Sequence, residues 1–240
     1  MREPFATTRW SLVAAARGED SRARVALGEL LQAYWAPVYA YLRRRGEADA
    51  DARDLTQGFF ARLMERDDLQ GVDSSRGRFR SWLLTCVQHY AANEARAERA
   101  AKRGGGRPVL ALSFDEELVG AQEVVDSETP EWHFDRAWAK ALLRRARSGL
   151  DREYQESRRA ARYSALVTVL EDEEERPSYA ELAEQLGTTE GSIKVFVHQM
   201  RQRFGVWIRR EIADTLPAGA DADAVESELS ELFRALGRSS

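Results

Sequence analysis

Cysteine occurs once in the 240 residues, at Cys86, so no internal disulfide and no cysteine-based metal site can form. That usage fits a reducing compartment, and a cytoplasmic location is expected. Cys86 reads as a small core residue. Histidine occurs three times, at His89, His133 and His198. These lie far apart and lack a supporting cysteine or carboxylate pattern, so no metal is expected. No apolar run approaches the length of a membrane span, and the opening MREPFATTRW lacks the apolar core of a signal peptide, so no membrane association is expected. Also missing are a phosphate-cradling glycine loop and a nucleophile paired with a base. Neither catalysis nor a cofactor is expected.

A positive charge excess is absent too. Thirty-six Lys and Arg stand against 40 Asp and Glu, a net charge of −4, which disfavours a stand-alone DNA binder. The distribution says more than the sum. Cations gather at Arg76–Arg103 and Lys194–Arg210, and anions at Asp115–Glu131, Glu171–Glu175 and Asp221–Glu231. Two basic segments separated by acidic ones fit a protein that touches DNA at two places, with a larger partner carrying much of the affinity. The 43% apolar and 32% charged content is ordinary for a soluble, helix-rich chain that can bury a real core.

What is present is helical periodicity. Thr8–Arg17 reads as a short helix anchored by Trp10 and Leu12. A stronger helix begins at Ser21 or Arg24, with Leu27, Leu30, Leu31, Tyr34, Val38, Tyr41 and Leu42 on one face. Pro37 is expected to kink or restart it, and Gly46 to end it after Arg43, Arg44 and Arg45. The next helix, from Ala48 or Asp51 to Arg66, buries Leu55, Phe59, Phe60, Leu63 and Met64 and leaves Asp54, Gln57 and Gly58 on the other face. After the polar loop Asp67–Gly77, a basic helix from Phe79 or Ser81 to about Arg103 carries Trp82, Leu83, Cys86, Val87, Tyr90 and Ala91 on its apolar side. Its cations lie before and after that section, at Arg76, Arg78 and Arg80 and at Arg96, Arg99, Lys102 and Arg103, against only Glu94 and Glu98. Such a helix suits stacking on unpaired bases while Arg and Lys hold phosphates. Phe79, Trp82, His89 and Tyr90 can all stack. Trp82 and Tyr90 are better placed for core packing, and His89 and Asn93 for base contact.

The second half repeats the pattern more weakly. Phe134, Trp138, Leu142 and Leu143 form one stripe, and a further helix is expected from Leu150 or Asp151. Ser178 with Glu181 makes a capping box, and Gly187 a turn. Thr188 or Thr189 then caps a helix with Ile193, Phe196, Val197, Met200 and Phe204 on its apolar side. SYAELAEQLGTTEGSIKVFVHQMRQRF thus reads as a helix-turn-helix whose second helix would enter the major groove. Glu190, Ser192, Lys194, Val195 and His198 lie off its apolar face, and Arg201 and Arg203 are suited to phosphates. An acidic amphipathic helix follows at Asp221–Leu236, with Val225, Leu229, Leu232, Phe233 and Leu236. It is expected to brace the second domain rather than to lie as a lid over a basic DNA face.

DARDLTQGFF followed by RGRFRSWLLT resembles the second conserved region of bacterial RNA polymerase sigma factors of the extracytoplasmic-function class. The resemblance covers Ala33 to about Gly106, and a weaker one to the fourth region covers Ser178–Ile212. It implies that Asp51, Asp54, Gln57 and Phe60 bind core RNA polymerase. It implies that Arg78, Arg80, His89, Asn93, Arg96, Arg99 and Arg103 serve the promoter −10 element. Glu190, Ser192, Lys194, Val195, His198 and Arg201 would serve the −35 element. The chemistry at Asp54 and Gln57 is acceptor geometry, a carboxylate and an amide taking hydrogen bonds from Arg and Asn on a partner coiled coil.

One position departs from the family pattern: Arg53 stands where an acidic residue is usual, with Asp49 and Asp51 close by. Phosphorylation of Thr56, one turn away, would restore roughly −1.5 to −2 charges. A Ser/Thr kinase or an anti-sigma factor is therefore open as a controlling partner. The expectation is an all-α fold of two helical domains joined by an acidic linker, the second containing the helix-turn-helix. The divisions are residues 1–106, linker 107–131, 132–216 and a C-terminal helix at 217–240. The expected function is promoter recognition and duplex opening together with core polymerase. The alternatives are a stand-alone helix-turn-helix regulator and a helical adaptor whose basic helix binds a partner protein.

Overall fold

A computed structural model describes residues 21–65, 78–101, 129–170, 177–216 and 220–237, with the side chains at 21–24, 27, 64–65 and 99–101 excepted. The expected helix at Thr8–Arg17, the loop 67–77 and the linker up to residue 128 lie outside the described residues. Every regular element among the described residues is helical, and the protein is all-α. In chain order these are α1 (Ser21–Arg44), α2 (Asp49–Glu65), α3 (Phe79–Ala101), α4 (Pro130–Gln155) and α5 (Ala160–Leu166). A 3-10 turn follows at Val167–Leu170, then α6 (Tyr179–Gln185), α7 (Glu190–Ala213) and α8 (Ala222–Ala235). No described helix is long and apolar enough to cross a membrane.

The chain divides into two compact units, Met1–Ala141 with Ile212–Ser240, and Leu142–Glu211. In the first, α1 buries Leu30, Leu31, Tyr34, Val38, Tyr41 and Leu42, as its period requires. Pro37 does not restart the helix: α1 runs through it without a break. The chain turns out of α1 at Gly46, whose φ of 99° a side-chain-bearing residue rarely adopts. There Glu47 N–H donates to Leu42 O at 3.3 Å and Gly46 N–H to Arg43 O at 3.1 Å, a Schellman end. α2 answers with Ala52, Thr56, Phe59, Phe60 and Leu63, and α3 with Phe79, Leu83, Val87 and Ala91. Aromatic edges tie the three together: Tyr34 meets Phe79 at 5.2 Å between centroids, and Phe59 meets Tyr90 at 5.6 Å.

The second unit has its own core, built on Leu150, Tyr154, Tyr163, Leu166, Leu182, Ile193, Phe196 and Met200. Tyr154 and Tyr163 stack at 4.4 Å. α4 is one helix and not two. It begins at Pro130 with Thr129 capping Trp132 N–H at 3.2 Å, and it passes Leu150 and Asp151 without interruption. Gly149 sits inside it because a Cβ there would overlap the Trp207 indole. The unit boundary falls at Ala141–Leu142 rather than near Trp132. The reason is side-chain contact: Glu131 accepts from Gln88 at 3.0 Å, and the ring of Trp138, fully buried, lies under Arg80.

Candidate nucleic-acid interface

On α2, Asp51 and Asp54 are exposed and Gln57 is half-exposed, so these three residues share an accessible surface. Phe60 does not join them. It is 4% exposed, stacked on Trp35 at 6.0 Å, and belongs to the core. Arg53 is met within its own helix, its Nε donating to Asp49 Oδ2 at 3.1 Å. Tyr39 donates its hydroxyl to the other Asp49 oxygen, and this bond, with Arg53, holds the Asp49 carboxyl below its ordinary pKa. Burial and the bond to Asp49 push the Tyr39 phenol up.

Thr56 differs from its expected role. Its side chain is fully buried and donates to Ala52 O at 2.6 Å, so its hydroxyl is not on the surface where a kinase could reach it. Gly58 is not on an open face either. It packs against Tyr90, whose hydroxyl would stand 2.5 Å from an added Cβ. Burial, with Glu94 nearby, pushes the Tyr90 phenol up to about 12.

On α3, His89, Asn93 and Arg96 are all exposed, and their spacing makes one stripe down the helix. Phe79, a stacking candidate by sequence, is 2% exposed and occupied by Tyr34 and Trp82. The Arg99 side chain and Arg103 lie outside the described residues.

The two arginines at the start of α3 depart most from expectation. Arg78 and Arg80, expected at DNA phosphates, are taken up by carboxylates. Glu231 of α8 accepts from both guanidinium groups. Glu228 lies 2.8 Å from Arg78 Nε and 3.2 Å from Arg80 Nε, and Asp135 of α4 accepts from Arg80 Nη1 at 3.3 Å. The Arg80 guanidinium sits 4.3 Å over the Trp138 ring. Its side chain is 8% exposed and that of Glu228 is 1% exposed. The hydrogen bond from Arg78 holds the Glu231 carboxyl below its ordinary pKa, whereas burial pushes Glu228 and Asp135 up. Sequence reasoning missed Asp135, Glu228 and Glu231. The available signal was a pair of glutamates three residues apart beside Leu232, on the face of an amphipathic helix that must dock.

In the second unit, Ser178 Oγ accepts from Glu181 N–H at 3.2 Å and Glu181 accepts from Ser178 N–H at 2.7 Å, completing the box that starts α6. Gly187 turns the chain at φ 59°, and Thr189 Oγ1 accepts from Ser192 N–H at 3.2 Å to start α7. α6, the turn at Gly187 and α7 follow one another along the chain. Glu190, Lys194, Val195, His198 and Arg201 are exposed on α7. Val195 is 58% exposed, an unusual place for a large apolar side chain. Lys194 pairs with Glu190 at 2.7 Å, which raises its ammonium above the usual range. Ser192 accepts from Arg162 at 2.8 Å, and Gln199 from Arg159 at 3.2 Å. These two arginines beside α7 went unnoticed in the sequence. Arg203 is not positioned as an unpaired phosphate contact: it makes a two-pronged bond to Glu153 at 2.8 Å and 2.8 Å.

Residues 30–101 match the family model described as Sigma-70 region 2. The match spans most of α1 and all of α2 and α3. The chain therefore carries a Sigma-70 region 2 domain, which supports a sigma factor acting in transcription. No curated protein and no solved structure matches the chain.

Proposed function

We propose that this protein is a sigma factor of the extracytoplasmic-function class, which binds core RNA polymerase, recognises promoter −10 and −35 elements and promotes transcription initiation. Its place of action is the cytoplasm, with the polymerase. The observation that carries the reading is the Sigma-70 region 2 match over residues 30–101. The accessible carboxylates of Asp51 and Asp54 beside Gln57 fit it, since they offer acceptors to Arg and Asn donors on a partner. With Asp49 on Arg53, the repulsion that Arg53 would present to a basic partner is reduced.

On α3, His89 and Asn93 address unpaired bases and Arg96 a phosphate. In the second unit, α6 and α7 act as a helix-turn-helix. Val195 meets a thymine methyl, Lys194, His198 and Glu190 meet base edges, and Arg201 meets the backbone. Retention on core polymerase and transcription from a promoter library test the reading. The wild-type chain is expected to direct transcripts from a defined promoter set. Asp54→Arg, a surface change, is expected to weaken polymerase binding at least about tenfold, or ~1.4 kcal/mol. Failure of the polymerase to retain the wild-type chain overturns the reading, and equal retention of both chains removes Asp54 from the contact.

A further inference from the structure

The face that α8 turns toward its own unit is not a simple apolar stripe. Leu232 and Ala235 are buried there, and so is the carboxylate of Glu228. A buried carboxylate is tolerated only when paired, and replacing a buried ion pair by apolar groups of similar volume is often neutral or stabilising. A helix serving only as a brace therefore has no need of Glu228 and Glu231. Their partners are telling: Arg78 and Arg80 open α3, the helix whose exposed stripe carries His89, Asn93 and Arg96.

Glu231 bridges the two guanidinium groups, much as one phosphate bridges a pair of arginines. With Asp135, three carboxyl groups face two cations at the start of α3 while α8 is docked. Burial raises the Glu228 and Asp135 carboxyls above their ordinary range, so they are costly to keep ionised there. A phosphodiester, which stays ionised, is a better partner for the same arginines.

We propose that α8 is an internal clamp whose Glu228 and Glu231 occupy the Arg78–Arg80 pair in place of nucleic-acid phosphates, and that DNA engages the pair when α8 undocks. The clamp rests on the reading of α3 as a DNA-binding helix and adds to it a device, carried by the chain itself, that withholds part of that surface. Arg78 is the residue released most completely, because Arg80 keeps its contact with Trp138 on α4.

The test is binding of a labelled single-stranded oligonucleotide of mixed sequence to the full chain, to Glu231→Gln, and to Glu231→Gln combined with Arg78→Gln. Glu231→Gln is expected to bind about fivefold tighter than wild type, with a salt slope steeper by about one, and the gain is expected to vanish in the double variant. Equal binding by wild type and Glu231→Gln, including no binding by either, overturns the clamp, as does weaker binding by the variant. Amide exchange on the wild-type chain gives a second readout that needs no substitution. Faster exchange across α8 with excess oligonucleotide is expected, and unchanged protection overturns the clamp. Core polymerase retention of the wild-type chain, scored on the same preparation, stays positive if only the clamp is wrong and is lost if the sigma-factor reading is wrong.

Discussion

Two side chains in the region 2 domain show how one atom decides a residue's role. Gly58 lies mid-helix, where glycine costs about 1 kcal/mol relative to alanine. It is retained because the Tyr90 hydroxyl fills the space a Cβ would need. Gly58→Ala is therefore expected to destabilise the domain by ~1–2 kcal/mol, the usual range for overpacking. In a Tyr90→Phe background the nearest remaining atom of that ring is at 3.7 Å, ordinary contact. There the same substitution is expected to stabilise by ~0.5–1 kcal/mol. Denaturant melts of the four chains measure the change of sign. Thr56 makes the complementary point. The sequence offers it as a phosphorylation site one turn from Arg53, but its hydroxyl satisfies a carbonyl of its own helix and its methyl joins the core.

At the scale of elements, caps and pairs fix where helices begin and how they are held. In the second unit Glu153 on α4 accepts from Arg203 and from Trp207 Nε1 on α7, the latter at 2.8 Å. The Arg203 bonds, with Trp207 adding to them, hold the Glu153 carboxyl below its ordinary value of 4.5. A depressed carboxyl stabilises the fold above its unfolded pKa and loses that contribution as pH falls through the folded value. The pair is partly exposed, which limits it to ~0.5–1 kcal/mol. Amide exchange across α7 is expected to show Glu153→Gln less protected than wild type at pH 7, with the difference shrinking as pH falls below the ordinary carboxylate range. A difference that persists at low pH would assign the contact to packing instead.

At the scale of the whole molecule, a net charge of −4 bears on the proposed DNA target. Within the region 2 unit, Glu228, Glu231 and Asp135 absorb the Arg78 and Arg80 charge. In the second unit, Glu190 absorbs Lys194 and Glu153 absorbs Arg203. The chain alone is accordingly expected to bind promoter duplex at least about tenfold more weakly than the complex with core polymerase does, at 150 mM salt. Fluorescence anisotropy with and without the polymerase measures this. Comparable affinities would favour a regulator that works alone.

How far the sequence reaches follows from the range of the forces involved. Helical period, the capping box at Ser178 and the turns at Gly46 and Gly187 depend on neighbours within a turn or two, and all were legible without coordinates. So was the region 2 segment, since DLTQGFF and RGRFRSWLL lie close together in the chain. The burial of Phe60 was legible from its period, against the surface role the resemblance implies; that of Thr56 was not, because a helical wheel gives a residue's angle but not the width of what packs against it. Nor was the occupation of Arg78 and Arg80. Their partners lie on α8, about 150 positions along the chain. Local pattern shows that α8 must dock and that its face is acidic. Only packing in three dimensions decides which cations it meets.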